Sequence, residues 1–271
     1  LGFEVPSPRR HFRMIYTHDV DHPKLWYGTT DRLRTLAGAA LRRRAAGELK
    51  WWLQGPVWQR QDPYDTFDFL MRLSEKEGHP GCFNFLGERP SSSDCYYPLD
   101  HPFVRSLIRQ VEERGHLIGF HPSYESFEQP ALFVAERDSL QRFCRQPVRS
   151  GRQHYLRFSA PHTWQQWADA GMAWDSTAGY SEAEGFRCGI CVAFPVFQFV
   201  SRQMLALLER PLIAMDVTLA LYRRYTPQQA TERVQQLRRE VEKHAGEFVL
   251  LWHNSSLSGP FWSEWATVLP P

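Results

Sequence analysis

Five short apolar runs separated by long helical patterns constrain this chain more than any other feature. The runs Phe12–Thr17, Cys82–Leu86, Leu117–His121, Leu212–Val217 and Glu247–His253 read as buried strands. Between them, Asp100-His101-Pro102 opens a helix striped by Phe103, Val104, Leu107, Ile108 and Val111, and Gly115 ends it. Thr226-Pro227 opens a second, lined by Val234, Leu237 and Val241 and stopped by Gly246. Asp65 to Glu77 forms a third, closed by Gly78. Asp31 to Lys50 forms a fourth, with Arg42, Arg43 and Arg44 on a solvated face. Strands joined by crossovers this long pair in parallel beneath a layer of helices. The 271 residues carry no repeat and no low-complexity linker, so the expectation is one α/β domain over residues 1–271.

Composition removes several classes of function. Lys and Arg total 32 against 30 Asp and Glu, a net charge of +2, which gives no basic field for nucleic acid. No run approaches the ~18 consecutive apolar residues of a membrane helix. The five cysteines (Cys82, Cys95, Cys144, Cys188 and Cys191) are odd in number and scattered, unlike a secreted disulfide framework. Cys188-Gly189-Ile190-Cys191 has CxxC spacing, but no second pair follows to complete a zinc site, so the spacing reads as chance. Leu1-Gly2-Phe3-Glu4-Val5-Pro6 lacks the basic start and apolar stretch of a signal peptide. A cytoplasmic location is therefore expected, although a chain starting without Met leaves a trimmed leader open.

In parallel α/β folds chemistry collects where strands end. The first strand ends Thr17-His18-Asp19-Val20-Asp21-His22. Residues two apart on a strand share a face, so Asp19 and Asp21 point the same way. Two adjacent carboxylates repel unless a cation or a shared proton relieves them. The third strand ends at His121, with Glu125 four residues on, and the last ends at His253 beside Asn254. Arg152-Gln153-His154-Tyr155 lies between, with Arg152 able to hold an Asp, and Asp216 closes the fourth run as a supporting candidate. Two Asp and two His at three strand ends, with Arg152-x-His154, make the set a metal hydrolase needs. A borderline cation takes carboxylate and imidazole and keeps a position open for water.

These residues resemble the polysaccharide deacetylase family (carbohydrate esterase family four, the NodB-homology domain). The family's first motif, Thr-Phe-Asp-Asp-Gly, is similar to Thr17-His18-Asp19-Val20-Asp21 with one residue inserted between the acids. Its second, two His four apart after Gly, is similar to Gly119-Phe120-His121-Pro122-Ser123-Tyr124-Glu125, which keeps only the first His. Its third, Arg-x-Pro-Tyr, resembles Arg152-Gln153-His154-Tyr155. The fourth, an Asp with a nearby Trp, is echoed by Trp174-Asp175-Ser176-Thr177, and the fifth, Leu-x-His, by Leu251-Trp252-His253. The resemblance spans Thr17 to Asn254. It implies a distorted, incomplete (β/α) barrel and a divalent metal, usually zinc. The implied reaction removes an acetyl group from an N-acetylated amino sugar of a bacterial surface polysaccharide or its precursor. It implies Asp19 as general base, Asp21 and His121 as metal ligands, Arg152 as the holder of the base, the Tyr155 backbone N–H as oxyanion donor and His253 as general acid. One ligand His is lost at position 125 and one His gained at position 154, so His154 is expected to complete the metal shell, with Glu125 and His22 as the other candidates. Arg187 and Trp252 are expected to contact substrate, Arg187 through charge and Trp252 by stacking on a sugar ring.

Two other readings compete. A phosphatase of the haloacid dehalogenase type also starts with a strand ending Asp-x-Asp, but it needs a later acidic pair and has no use for His121 and His253. A saccharide-binding protein on an inactive deacetylase scaffold would explain the lost His at position 125.

Overall fold

A computed structural model describes residues 10–41, 51–52, 62–87 and 93–269. Nine strands form one sheet: β1 Arg13–Val20, β2 Cys82–Leu86, β3 Leu117–His121, β4 Ser150–Gly151, β5 Trp174–Asp175, β6 Phe194–Gln198, β7 Gln203–Glu209, β8 Ala214–Met215 and β9 Glu247–Leu251. Their spatial order is β6-β7-β5-β4-β3-β2-β1-β9-β8. Every pair is parallel except the β6–β7 hairpin. The end strands β6 and β8 do not meet, so the barrel stays open.

Parity along the strands sorts the side chains. On β1, Met14 and Tyr16 join the main core while Ile15 joins a smaller cluster on the other face, with Leu212, Met215, Val249 and Leu251. Neighbouring strands repeat the pattern. Phe83, Phe85, Ile118, Phe120, Phe248 and Leu250 face the helices, and the intervening residues face the inner side. The helices that cover the outer face are α2 Phe67–Lys76, α3 Pro102–Glu113, α4 Pro130–Gln141, α5 His162–Asp169 and α6 Pro227–Lys243; α1 Thr29–Leu41 follows β1. Burying a Leu, Val or Phe contributes about 1.5–3 kcal/mol, so the odd-even pattern is enough to hold the strand register.

Two of the expected helices form where their caps placed them, while the helix expected from Asp65 runs Phe67–Lys76 without a side-chain cap. The His101 side chain accepts from Phe103 N (3.2 Å) with Pro102 in the first turn of α3. Thr226 and Gln229 form a reciprocal capping box on α6. Gly115, at φ 77°, supplies the left-handed turn that ends α3. After α6 that role falls to Ala245 at φ 46°, one residue before Gly246. The fourth expected helix is seen as Thr29–Leu41; Arg42, Arg43 and Arg44 lie outside the described residues. Two helices had no legible stripe. In α4 the buried face includes Glu136 and Ser139, and in α5 it includes Thr163 and Gln166, so polar residues mask the apolar period. Among the described residues no helix is long and apolar enough to cross a membrane.

Candidate active site

The strand ends converge on the inner side of the sheet. β1 carries Asp19, and β2 carries Asn84 directly opposite it in register. β3 ends at His121, and His253 follows β9. The inner-face residues of the sequence pattern thus meet at one cleft of about 290 Å³, lined by Asp19, Asp21, His121, His154, Tyr155 and His253, with Leu156, Met215, Val217 and Leu251 as apolar wall.

Asp21, His121 and His154 have donor atoms that all lie within 4.8 Å of one another, the one such group of three His, Cys, Asp or Glu side chains among the described residues. Asp21 Oδ1 is 3.4 Å from His121 Nε2 and 3.6 Å from His154 Nε2. Each imidazole is fixed through its other nitrogen. His121 Nδ1 lies 2.6 Å from the Arg152 carbonyl oxygen, which makes Nδ1 the donor and leaves the Nε2 lone pair free. His154 Nδ1 is held by the Asp94 carboxylate in the same way. Asp21 Oδ1 is sealed from solvent and accepts no hydrogen bond. An orphaned carboxylate oxygen facing two oriented imidazole nitrogens fits a tetrahedral divalent cation such as Zn²⁺.

The electrostatics agree. Burial disfavours ionised Asp21, yet His121, His253 and His154 overcome it and hold its pKa well below the carboxylate range. Burial also opposes the charge on Asp19, but the Arg152 guanidinium, then His121 and His253, hold its pKa down. Conversely, burial would keep His121 neutral, and Asp19 and Asp21 push its pKa up. Two buried anions here favour the protonated forms of His121 and His253; a cation among them would take over that charge and release protons.

Asp19 sits outside the three-residue group. Its Oδ1 accepts from Asn84 Nδ2 (2.6 Å) and Arg152 Nη1 (3.0 Å), and its Oδ2 is 3.7 Å from His121 Nε2. Arg152 is fully buried, with every guanidinium nitrogen paired: Nη2 also donates to Thr17 Oγ1 and Ser176 Oγ (both 2.9 Å), and Nε to the Ser176 carbonyl (2.8 Å). His253 Nδ1 lies 2.8 Å from Asp216 Oδ1, and its backbone N–H donates to Asp216 Oδ2 (2.8 Å). Its Nε2 faces Asp21 Oδ2 at 3.6 Å. Burial lowers the His253 pKa, but Asp216, Asp21 and Asp19 outweigh it and raise the value to about 10. Tyr155 lies on a left-handed turn (φ 56°, ψ 17°), with its ring stacked on His154 at 4.2 Å between centroids.

Other expected residues fall elsewhere. Trp252 does not stack on a ligand: it is fully buried in the main core, because position 252 has the parity of Phe248 and Leu250, not of His253. Arg187 donates to the Gly179 carbonyl oxygen (2.8 Å) and is not among the residues lining the cleft. His22 Nε2 meets Cys95 Sγ at 2.9 Å, and Glu125 is not in the three-residue group. Two supporting residues escaped the sequence reading. Asn84 had a signal, a polar side chain in the middle of the apolar run Cys82–Leu86. Asp94 had none, since it reaches His154 across 60 residues from an irregular loop.

No protein-family model and no curated protein matches the sequence. Solved structures do. A Mycobacterium smegmatis protein provisionally named a polysaccharide deacetylase superposes with a TM-score of 0.57 at 16% identity, covering 98% of this chain and 84% of its own. Two looser matches share 12% identity: the Streptococcus pyogenes deacetylase PplD in complex with acetate (TM-score 0.35, 76% of this chain, 94% of the other), and the BpsB deacetylase domain from Bordetella bronchiseptica (TM-score 0.36, 77% and 98%). The first likeness defines the fold: this chain shares the incomplete (β/α) barrel of that Mycobacterium smegmatis protein.

Proposed function

We propose that this chain is a metal-dependent deacetylase that removes an N-acetyl group from an amino sugar of a bacterial surface polysaccharide or its precursor. One observation carries the reading: an Asp21–His121–His154 donor group lies beside a separate, arginine-held Asp19 at the open end of this fold. The fold likeness and the five-motif resemblance support the substrate class.

Asp21, His121 and His154 hold the cation, with Zn²⁺ matching the His₂Asp donor set. Bound there, it supplies a lowered water pKa and polarisation of the acyl oxygen. Asp19, kept ionised by Arg152 and aimed by Asn84, takes the proton of the attacking water. The Tyr155 backbone N–H donates to the developing oxyanion. His253, protonated and anchored through Nδ1 by Asp216, delivers the Nε2 proton to the departing amine, which leaves poorly unless protonated. The products are acetate and a free amino sugar.

The test is acetate release from a panel of N-acetylated amino sugars and their oligomers by the full chain. Activity is expected with Zn²⁺, its loss with a chelator and its return on adding Zn²⁺. Tight zinc and sugar binding with no acetate from any member would establish a saccharide-binding protein instead.

A further inference from the structure

Behind Arg152, away from the cleft, two acids meet. Asp175 and Glu209 are register partners on the adjacent parallel strands β5 and β7, so their side chains leave the same face side by side. Both are fully buried. No Lys or Arg forms an ion pair with either one among the described residues. Each oxygen of Glu209 accepts one hydrogen bond, Oε2 from Trp164 Nε1 (2.7 Å) and Oε1 from the Ala178 N–H (3.1 Å). Asp175 Oδ1 takes the Thr177 N–H (3.1 Å) and the Thr177 hydroxyl. Asp175 Oδ2 is sealed from solvent with no N–H or hydroxyl donor. An orphaned oxygen beside a second carboxyl, with no cation paired to either acid, is what a proton shared between the two acids explains.

The pair anchors the turn that anchors the arginine. Asp175 holds Thr177, and Glu209 holds Ala178. Within that turn Ser176 accepts twice from Arg152, and Thr177 Oγ1 accepts from the Gln153 N–H (3.0 Å). Arg152 in turn grips Asp19, and its carbonyl orients His121. We propose that Asp175 and Glu209 form a buried one-proton acid pair that positions Arg152 and, through it, both the base Asp19 and the ligand His121. Neither acid touches substrate; both are positioning residues, and this role rests on the deacetylase reading of the cleft. Burial, joined by the mutual repulsion of the two acids at Glu209, raises both pKa values, Asp175 to about 6 and Glu209 further, in keeping with a retained proton. The single negative charge left on the pair leaves Arg152 committed to Asp19, whereas two buried negative charges would compete for it.

The shared proton has two placements, and asparagine at position 175 mimics the one on Asp175: its carbonyl oxygen accepts from Thr177, and its NH₂ donates to an ionised Glu209. Three measurements follow. Infrared spectra of the full-length wild type at neutral pH should show the C=O stretch of a buried carboxylic acid, and Asp175→Asn should abolish it. Asp175→Asn should keep zinc affinity and acetate release within about twofold of wild type. Asp175→Ala and Glu209→Leu should lose about 100-fold in kcat, the scale of a displaced reacting group, and should weaken zinc through His121. Rescue by asparagine but not alanine is what a merely structural role for a charged carboxylate would not produce. An absent carboxylic-acid band, or Asp175→Asn as damaging as Asp175→Ala, would overturn the pair. If the wild type releases no acetate, the deacetylase reading fails, while the infrared band and the zinc affinities still decide this proposal.

Discussion

Asp94 offers the sharpest test of how the metal centre is held. Its carboxylate takes His154 Nδ1–H, and its Oδ2 accepts the Tyr124 N–H at 2.8 Å, so the acid is braced from its far side. Asp94→Ala leaves the His154 ring in place but free to rotate and to carry its proton on either nitrogen. The Nε2 lone pair, now 3.6 Å from Asp21 Oδ1, would point into the site only part of the time. Loss of such an outer partner typically costs about 10–100-fold in metal affinity, or about 1.4–2.8 kcal/mol. Because Asp94 touches neither Asp19 nor His253, saturating Zn²⁺ should restore most of the turnover. The assay is competition for Zn²⁺ against a chromophoric chelator at neutral pH, paired with acetate release at low and high Zn²⁺. His154→Ala, which removes the ligand itself, should weaken zinc more. Zinc affinity within about twofold of wild type in Asp94→Ala would refute the argument. So would a turnover defect that excess zinc leaves untouched.

Other perturbations separate the remaining parts. Arg152→Met strands buried Asp19 without its cation and should destabilise the fold by about 3–5 kcal/mol at neutral pH, read by urea denaturation. Because the folded-state pKa of Asp19 is depressed, its contribution is present above the unfolded value of about 3.9 and is lost as pH falls through the lower folded value. The Arg152→Met penalty should therefore shrink in acid, and a constant penalty would point to packing alone. His253→Ala should cut turnover about 10²–10⁴-fold with zinc affinity intact, and near-normal turnover would remove His253 as the acid. Asp216 favours the protonated form of His253, which loses its proton as pH climbs, so activity should fall on the alkaline side. Asp216→Asn should move that fall toward neutral pH. Gly119→Ala would place a Cβ 1.9 Å from Asn84 Oδ1 and 2.8 Å from Cys82 Sγ. The displaced Asn84 would release Asp19, so activity should drop together with about 1–3 kcal/mol of stability; unchanged activity would mean that the Asn84 contact is dispensable.

The site was legible where chemistry rides on strand parity. Asp19 and Asp21 share a face because they are two apart, and His121 and His253 stand at the ends of continuous apolar runs, where the face of each residue follows from counting along the strand. The same rule, applied to Trp252, would have placed it in the core with Phe248 and Leu250. Short or polar-faced elements were not legible. β4 and β5 have two residues each, too few to show a period, and α4 buries Glu136, which accepts from the Ser123 N–H and hydroxyl.

Local sequence, then, was enough to set the longer strands, the apolar-striped helices with two of their caps, and the face on which Asp19, Asp21, His121 and His253 emerge, since those depend on neighbours within a few residues. What a loop contributes across the cleft depends on chain closure over tens of residues. Asp94 behind His154, the pairing of the candidate Asp216 with His253, and the meeting of Asp175 with Glu209 came only from tertiary structure. A buried carboxyl finds its partner through the packing of distant elements, which no local periodicity encodes.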